Sequence, residues 1–241
     1  MKCIGIIPAR YDSSRFKGKV LETISEYPFV VQVYRQAINS NLDEVIIASD
    51  SKKVQDTCES YNVKAMLTSS DHKSGTDRCA EVTRNFADDD IIINIQGDEP
   101  FIQPDHINLL LNKMIQGERN IATLIKILTD QQELLSPNTV KVVCNRNGDA
   151  LYFSRTGIPF LRDIALREWV KNHTYYKHIG VYAYKNKVLQ DLTKLSNSSL
   201  EKAESLEQLR WLENGYSIAT IDSDYSGIGI DTYSDLLKAR E

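Results

Sequence analysis

The sequence predicts a three-layer α/β fold built on a mostly parallel central sheet. Its first half alternates short apolar segments with helix-length segments, which is the pattern of parallel strands connected by helices. From residue 121 onward the apolar segments follow one another more closely, which indicates a β-rich insertion in the second half. No linker, repeat or low-complexity tract interrupts the 241 residues. We therefore expect one domain over residues 1–241, with residues 121–185 as its β-rich portion.

Four strands and three helices are predicted in the first half. The predicted strands are rich in apolar and β-branched residues and cover residues 3–7, 44–48, 64–67 and 91–95. The predicted helices cover residues 29–39, 51–61 and 75–86. In a parallel sheet, ligands bind beyond the carboxyl ends of the strands. The polar loops expected at that edge are residues 8–19, 49–50, 69–77 and 96–100.

The second half is predicted to add five strands and two helices. The strands cover residues 121–128, 140–144, 150–154, 178–184 and 217–221. An amphipathic helix is expected over residues 200–213, with Ser198 and Glu201 at capping-box spacing and Gly215 able to end it. A last helix covers about residues 232–240.

The composition excludes several classes of protein. There are 33 acidic and 29 basic residues, so no field suited to a nucleic acid is expected. The four cysteines are far apart and form no C-x-x-C pair, so we expect buried thiols and neither a zinc site nor a disulfide framework. No apolar run approaches the ~20 residues needed to span a bilayer, and no signal peptide is evident. We expect a soluble cytoplasmic protein without a membrane partner.

A basic, hydroxyl-rich loop follows the first predicted strand. Arg10, Arg15 and Lys19 can converge on anionic oxygens, Gly18 allows close approach of the backbone, and Ser14 adds a neutral donor. This pattern predicts a triphosphate site, in preference to a solvated surface turn. The loop matches neither the G-x-x-x-x-G-K-[ST] pattern of ATPases nor the G-x-G-x-x-G pattern of dehydrogenases.

Two carboxylates are candidates for binding a metal ion. Asp98 directly follows the strand predicted at residues 91–95, and Asp231 follows a glycine-containing segment near the C-terminus. Mg²⁺ prefers a few hard oxygen ligands and completes its shell with water and phosphate. For Asp231 alone, capping of the last helix explains the residue equally well. The cluster formed by residues 88–90 is interpreted as a solvated turn.

Two further groups of polar residues are candidates for contacting a substrate. The loop over residues 68–78 is dense in hydrogen-bonding groups that could bind a nucleobase, while Ser74 or Thr76 could also cap a helix. Alternation places His178, Tyr182 and Tyr184 on one face of a strand, in aromatic company suited to a polar sugar acid.

Taken together and in order, these motifs resemble the 3-deoxy-manno-octulosonate (Kdo) cytidylyltransferase family. The matching segments are Ile6-Ile7-Pro8-Ala9-Arg10-Tyr11, Ser14-Arg15, Gly18-Lys19, Ser74-Gly75-Thr76-Asp77-Arg78, Asn94-Ile95-Gln96-Gly97-Asp98-Glu99-Pro100, Tyr152-Phe153-Ser154-Arg155, His178-Ile179-Gly180-Val181-Tyr182, Leu206-Glu207-Gln208-Leu209-Arg210 and Gly229-Ile230-Asp231-Thr232. Each motif is weak alone, but the ordered set is specific and spans the chain.

The resemblance implies a Rossmann-like nucleotidyltransferase fold and a reaction. The anomeric hydroxyl of Kdo would attack the α-phosphate of CTP, releasing pyrophosphate and forming CMP-Kdo for lipopolysaccharide synthesis. It also implies Mg²⁺ as cofactor, a homodimer, and a β-rich portion that covers the sugar site.

The resemblance also implies roles for individual residues. Arg10, Arg15, Lys19 and Asp98 would be catalytic, and Asp98 and Asp231 would bind the metal. The nucleotide would contact Pro8, Ala9, Arg10, Ser14, Lys19, Ser74, Gly75 and Arg78. The sugar acid would contact Gln96, Arg155, His178, Tyr182, Glu207 and Gln208.

The sequence departs from the family pattern in one loop, and several rival functions are compatible with it. The loop over residues 16–21 lacks two prolines usual in the family, so we expect it to be less rigid. The rival substrates are the 8-amino analogue of Kdo and an acylneuraminate, although Val20 after Lys19 disfavours the latter. From other classes, the rivals are a glycosyltransferase that uses a nucleotide sugar and a non-catalytic nucleotide-binding module.

Overall fold

A computed structural model describes residues 1–12, 16–24, 26–117, 119–227, 230 and 233–240. Within these residues nine strands form one sheet. The strands are β1 Cys3–Ala9, β2 Glu44–Ser49, β3 Ala65–Leu67, β4 Ile91–Asn94, β5 Ile121–Leu128, β6 Lys141–Cys144, β7 Ala150–Ser154, β8 Tyr175–Lys185 and β9 Ala219–Asp222.

Helices cover both faces of this sheet. The α-helices are α1 Phe29–Ala37, α2 Lys52–Ser60, α3 Gly75–Thr83, α4 Pro104–Ile115, α5 Gln131–Leu135, α6 Trp169–Asn172, α7 Asn186–Leu192, α8 Ser199–Glu204, α9 Gln208–Glu213 and α10 Tyr233–Arg240. Two 3-10 helices cover Lys19–Leu21 and Leu166–Glu168. Two buried apolar clusters contain opposite faces of the strands: Ile7 and Ile93 lie in one, and Ile6 and Ile92 in the other. This alternation produces the three layers that the sequence predicts.

Strand direction determines where the loops meet. The main path runs β3-β2-β1-β4-β8-β5-β9. β8 is antiparallel to both of its neighbours on this path, whereas the other pairs are parallel, so all strands of the path except β8 point the same way. Their carboxyl ends therefore share one edge, together with the amino end of β8. The predicted α/β class with a mostly parallel sheet is confirmed.

The β-rich second half is also present, but most of it belongs to the central sheet. β5, β8 and β9 extend that sheet, while β6 and β7 form a hairpin attached to the first part of β8. The chain between β7 and β8 packs on a small cluster around Trp169 and Tyr175.

The predicted strand and helix bounds agree with the structure to within a few residues, with one clear error. The single helix expected over residues 200–213 is wrong, because the chain breaks into α8 and α9 at Ser205, whose φ of 52° is left-handed. The apolar spacing of Leu206, Leu209 and Leu212 did not reveal this break. The predicted capping box of Ser198 and Glu201 is present.

Several simpler expectations were also tested. Three of the four cysteines are buried and the fourth, Cys144, is half-buried, and all four are free thiols. Asp90 is buried and accepts hydrogen bonds from the backbone amides of Lys2 and Ala87, so only its exposed neighbours Asp88 and Asp89 fit the predicted solvated turn. Across the described residues, none of the helices has the length and apolar content required to cross a bilayer.

Candidate active site

A cavity of about 360 Å³ opens at the carboxyl ends of β1 and β4. It is lined by Pro8, Arg10, Asp12, Lys19, Val20, Gly75, Gln96 and Asp98. The basic loop, the amino end of α3 and the loop after β4 thus meet as predicted, because parallel strands deliver them to one edge. Asp12 and Val20 also line the cavity. The sequence analysis gave Asp12 no role and used Val20 only to disfavour an acylneuraminate substrate.

Lys19 and Asp98 form the charged centre of this cavity. The Lys19 ammonium lies 2.5 Å from the Asp98 carboxylate and donates a 2.8 Å hydrogen bond to the carbonyl of Ile230. The Lys19 side chain is 7% exposed and that of Asp98 is 36% exposed, so the pair has a buried cation and an accessible anion. Lys19 begins the 3-10 helix Lys19–Leu21. Gly18, which precedes this helix, has a left-handed backbone conformation with φ of 76°. A residue with a Cβ would be strained there.

Close backbone packing forms the floor of the cavity. A Cβ on Gly97 would lie 2.9 Å from the carbonyl oxygen of Pro8, and one on Gly75 would lie 3.2 Å from the Pro8 ring. The amide of Gly97 donates to the carbonyl of Pro8 at 3.3 Å. Glycine is therefore required at residue 97 for the loop after β4 to approach β1 so closely.

The two predicted nucleotide-binding arginines occupy different environments. Arg10 lines the cavity and donates a 2.7 Å hydrogen bond to the carbonyl of His72, which fixes its guanidinium against the loop before α3. Arg78 is fully buried, and it donates to Asp50 at 2.9 Å and to the carbonyl of Ser69 at 3.3 Å. Burial lowers the pKa of Arg78, while Asp50 opposes this shift and nearby Arg10 adds to it. Arg78 thus braces the loop that carries Ser69, and its contact with a nucleotide stays a prediction.

The amino end of α3 connects the cavity to α9. Ser74 caps the helix, because its hydroxyl accepts from the amide of Asp77 and the Asp77 carboxylate accepts from the amide of Ser74. Thr76 donates a 2.7 Å hydrogen bond to the Glu207 carboxylate. Burial raises the pKa of Glu207, against the opposing effects of its hydroxyl partners and of Arg210. The predicted nucleotide loop and the predicted sugar residue Glu207 are therefore in direct contact. Nothing in the sequence linked them.

β8 carries the residues predicted to form the sugar wall. His178 Nε2 lies 2.9 Å from the hydroxyl oxygen of Thr123, which also contacts the carbonyls of Ile179 and Val181. Since the hydroxyl has one proton and faces two carbonyls, we assign Nε2–H as the donor to Thr123. Tyr182 stacks at a tilt on His178, with ring centroids 5.2 Å apart. Gln96 donates a 3.4 Å hydrogen bond to the carbonyl of Gly180, which brings it beside this strand.

His178 provides a prediction about the pH dependence of stability. Burial lowers the pKa of His178 from its ordinary value of 6.5 to about 3. Below pH 6.5, His178 therefore binds a proton in the unfolded chain but stays neutral in the folded chain. The free energy of unfolding consequently falls as the pH decreases. Between pH 7 and pH 5 this loss amounts to at most roughly 2 kcal/mol.

The measurement is urea unfolding at both pH values for the wild type and two variants. His178→Gln should lose this part of the acid destabilisation, whereas the matched control His173→Gln, at an exposed position, should keep the wild-type slope. Equal slopes for all three proteins would contradict the assignment of a buried neutral imidazole.

Arg155 is anchored to backbone carbonyls around the junction of α8 and α9. Its guanidinium donates to Glu204 at 2.7 Å, to Ser205 at 3.2 Å and to Pro137 at 2.9 Å. The Glu204 carboxylate accepts from the hydroxyl of Ser154 and the amide of Arg155. Arg155 thus supports the left-handed turn that precedes Glu207 and Gln208, of which Gln208 is buried. A direct contact of Arg155 with a sugar acid stays a prediction.

Comparison with known proteins identifies the family. The cytidylyltransferase family model matches residues 4–219. The chain is 49% identical to a 3-deoxy-manno-octulosonate cytidylyltransferase of Bacteroides thetaiotaomicron, over 100% of this chain and 98% of the relative. It is 46% identical to the protein of the same name from Parabacteroides distasonis, over 99% of this chain and 97% of the relative. The chain belongs to the 3-deoxy-manno-octulosonate cytidylyltransferase family.

Solved structures agree with this membership. A CMP:2-keto-3-deoxy-manno-octonic acid synthetase complexed with CTP superposes with a TM-score of 0.92 at 42% identity, covering 100% of this chain and 97% of that chain. A glucose-1-phosphate thymidylyltransferase from Bacillus anthracis superposes with a TM-score of 0.68 at 15% identity, over 99% of this chain and 94% of that chain, which shows a shared fold.

Within this cytidylyltransferase, the predicted residues divide into three groups. Pro8, Arg10, Lys19, Gly75, Gln96 and Asp98 line the cavity itself. Residues outside this lining, on or next to β1, α3, β7, β8 and α9, are Ala9, Ser74, Arg78, Arg155, His178, Tyr182, Glu207 and Gln208. Ser14, Arg15 and Asp231 lie outside the described residues, so their predicted roles stay predictions.

The donor set is suited to a hard divalent cation. Asp98 presents an accessible carboxylate to the cavity, already paired with a positive charge. No cluster of three or more His, Cys, Asp or Glu side chains that could hold a metal is found among the residues described. An accessible carboxylate such as that of Asp98 suits Mg²⁺, which binds through one or two carboxylates and keeps water and phosphate oxygens as its other ligands.

Proposed function

We propose that this chain transfers CMP from CTP to 3-deoxy-D-manno-octulosonate (Kdo), forming CMP-Kdo and pyrophosphate. The observation that carries the proposal is the pairing of Lys19 with Asp98 in a cavity also lined by Arg10 and Gln96. In the proposal, Arg10 and Lys19 bind the triphosphate and Asp98 binds its metal ion. Gln96, in the same cavity, is a proposed contact of the sugar acid. Full-length identity with relatives named for this activity supports the same reaction.

The chemistry is one displacement at phosphorus. The oxygen of the anomeric hydroxyl bonds to the α-phosphorus of CTP, the bond from that phosphorus to the bridging oxygen of the β-phosphate breaks, and the hydroxyl proton is lost. Arg10 and Lys19 supply positive charge for the departing pyrophosphate, and Arg15 has the same role in our proposal. Such reactions depend mainly on positioning and charge neutralisation, so no covalent nucleophile is required.

Mg²⁺ is the proposed cofactor, and Asp98 and Asp231 are the residues proposed to hold it. When bound, the ion neutralises phosphate charge and orients the triphosphate. The Lys19 ammonium holds the Asp98 carboxylate at the cavity wall, and its hydrogen bond to Ile230 ties this wall to the C-terminal segment.

Recognition of the sugar acid is assigned to the residues around the amino half of β8. Gln96, His178, Tyr182, Glu207, Gln208 and Arg155 are the proposed contacts. Neutral His178 donates its Nε2–H to Thr123, so its Nδ1 can accept a hydrogen bond from a sugar hydroxyl without adding charge, and partly buried Glu207 can accept from another. The β-rich portion over residues 121–185 is proposed to cover this part of the site.

The cellular setting follows from the substrates. CTP is a cytoplasmic metabolite, so we propose the cytoplasm as the location and lipopolysaccharide synthesis as the use of CMP-Kdo. We further propose that the enzyme is a homodimer, with no nucleic acid or membrane partner.

A pyrophosphate-release assay with CTP and Mg²⁺ tests the proposal. The acceptors compared are Kdo, its 8-amino analogue and N-acetylneuraminate, and we expect the highest kcat/KM with Kdo. Faster release with either of the other acids would transfer the substrate assignment to it. Binding of CTP without release with any acceptor would indicate a non-catalytic nucleotide-binding module.

A further inference from the structure

The chain that follows β9 returns to the cavity and is held there by several side chains. β9 pairs in parallel with β5, so its carboxyl end lies at the edge of the sheet where the cavity opens. The amide of Ser223 donates to the carbonyl of Ile125, which extends this attachment by one residue. Residues 224–227 then lead toward Ile230, whose carbonyl accepts from Lys19.

Tyr225 is the main anchor of this segment. Its side chain is 4% exposed and belongs to the apolar cluster that contains Ile93 and Ile95. Its hydroxyl donates a hydrogen bond to the carboxylate of Glu99, the residue directly after Asp98. The segment that ends at Ile230 is thereby bonded to the loop that presents Asp98.

The ring of Tyr225 also packs against His106. His106, on the first turn of α4, packs edge-on against Tyr225 with ring centroids 5.2 Å apart. His106 Nδ1 accepts from the amide of Gln103 at 3.1 Å, so Nε2 carries the proton and donates to Asp224 at 3.1 Å. The start of α4 and the C-terminal segment are therefore connected through both Asp224 and Tyr225.

The backbone of the segment folds closely over the same ring. A Cβ on Gly227 would lie 2.0 Å from the Tyr225 hydroxyl oxygen, so only glycine permits this path. Three residues later Ile230 is buried in a separate apolar cluster with Phe29 and Leu236. Tyr225 and Ile230 are thus both held by packing, and the Tyr225 hydroxyl connects residues 223–227 to the loop after β4.

We propose that Tyr225 is a positioning residue, which sets the Asp98 loop against the C-terminal segment through Glu99 and thereby orients Asp98 toward a metal-bound triphosphate. This inference rests on the proposed function and extends it to a residue that does not line the cavity. Glu99 and Asp98 are consecutive, so a hydrogen bond that holds the Glu99 side chain also restrains the short loop that carries Asp98. Lys19 closes the connection, because it contacts both Asp98 and Ile230.

The variant that tests the proposal is Tyr225→Phe, which keeps the buried ring and removes only the hydroxyl. The matched control is Tyr175→Phe, because Tyr175 is equally buried and its hydroxyl also donates one hydrogen bond, to the carbonyl of Pro159 at 2.8 Å. Tyr175 belongs to the small cluster around Trp169, separate from the cluster that holds Tyr225. Both variants should remain folded, as checked by thermal unfolding.

Two readouts do not depend on turnover. The first is backbone hydrogen exchange without metal or nucleotide, where we expect faster exchange over residues 97–103 and 223–227 in Tyr225→Phe alone. The second is calorimetric CTP affinity in EDTA and in saturating Mg²⁺. The wild type should bind CTP more tightly with Mg²⁺, and Tyr225→Phe should lose roughly tenfold of that gain, as is typical when a group supporting a metal ligand is removed.

The outcomes separate this proposal from the proposed function. Exchange and Mg²⁺-dependent affinity that both match the wild type would overturn the positioning role, as would faster exchange with an unchanged Mg²⁺ gain. Losses of equal size in Tyr175→Phe would also overturn it, because the effect would then be general. A wild type that gains CTP affinity with Mg²⁺ but releases no pyrophosphate would refute only the proposed transfer reaction, since both readouts are taken without a sugar acid.

Discussion

Replacement of Lys19 by alanine is expected to lower turnover with CTP and Kdo by roughly 10²-fold or more, the usual cost of removing one preorganised charge-stabilising donor. The Lys19 side chain is almost completely buried, lines the cavity and pairs with Asp98. In the proposed reaction, alanine removes a positive charge that would stabilise the departing pyrophosphate. The measurement is the initial rate of pyrophosphate release at saturating CTP and Mg²⁺.

The matched control lies two residues earlier in the same loop. Lys17 pairs with Asp12, but its side chain is 69% exposed, so Lys17→Ala removes a solvated cation and should change turnover less than threefold. A loss of less than threefold in Lys19→Ala as well would contradict the proposed role. Thermal unfolding of both variants distinguishes a chemical effect from loss of the hydrogen bond to Ile230.

Replacement of Asp98 by asparagine should lower kcat/KM by about 10²-fold or more and change the response to Mg²⁺. Asparagine has the same shape and can still accept a hydrogen bond from Lys19, but it lacks the negative charge that a hard divalent cation requires. We expect the Mg²⁺ concentration for half-maximal rate to rise well above that of the wild type.

This prediction is measured by titrating Mg²⁺ at saturating CTP and Kdo. Asp89→Asn is the matched control, because Asp89 is exposed in the turn before β4, at the opposite end of that strand from the loop carrying Asp98. If Asp98→Asn retained both the wild-type rate and the wild-type Mg²⁺ dependence, the metal-binding role would be wrong.

Local chemistry explains why parts of the site could be predicted. The basic loop after β1 and the acidic loop after β4 were predicted to meet, and Lys19 and Asp98 do form an ion pair. This inference needed only strand order and direction, because parallel neighbours place their following loops at the same edge. The capping role of Ser74 was likewise visible, since a capping box involves residues three apart.

Contacts that depend on the backbone conformation of a single residue could not be predicted from the sequence. The helix expected over residues 200–213 breaks at Ser205, and its apolar periodicity continues through the break. Serine in a left-handed conformation carries no sequence signature, and the turn is held by Arg155 and Glu204, about 50 residues apart along the chain. The orientation of Glu207 toward Thr76 follows from this break.

Arg78 illustrates the same limit for a charged side chain. Its nucleotide contact stays a prediction, but the sequence did not reveal that its guanidinium is buried against Asp50 and the loop before α3. Composition shows that an arginine is present and cannot show the direction of its side chain. That direction depends on which strand end lies next to the helix.

By itself, the sequence determined the α/β class, the edge of the sheet where chemistry is located and the family of the chain, because these follow from periodicity, strand order and ordered motifs. Only the tertiary structure decided which groups touch: Lys19 with the carbonyl of Ile230, 211 residues later, Thr76 with Glu207, and Tyr225 with Glu99. A hydrogen bond requires donor and acceptor within about 3 Å, and such distances between remote segments arise only when the whole sheet and its helices have packed.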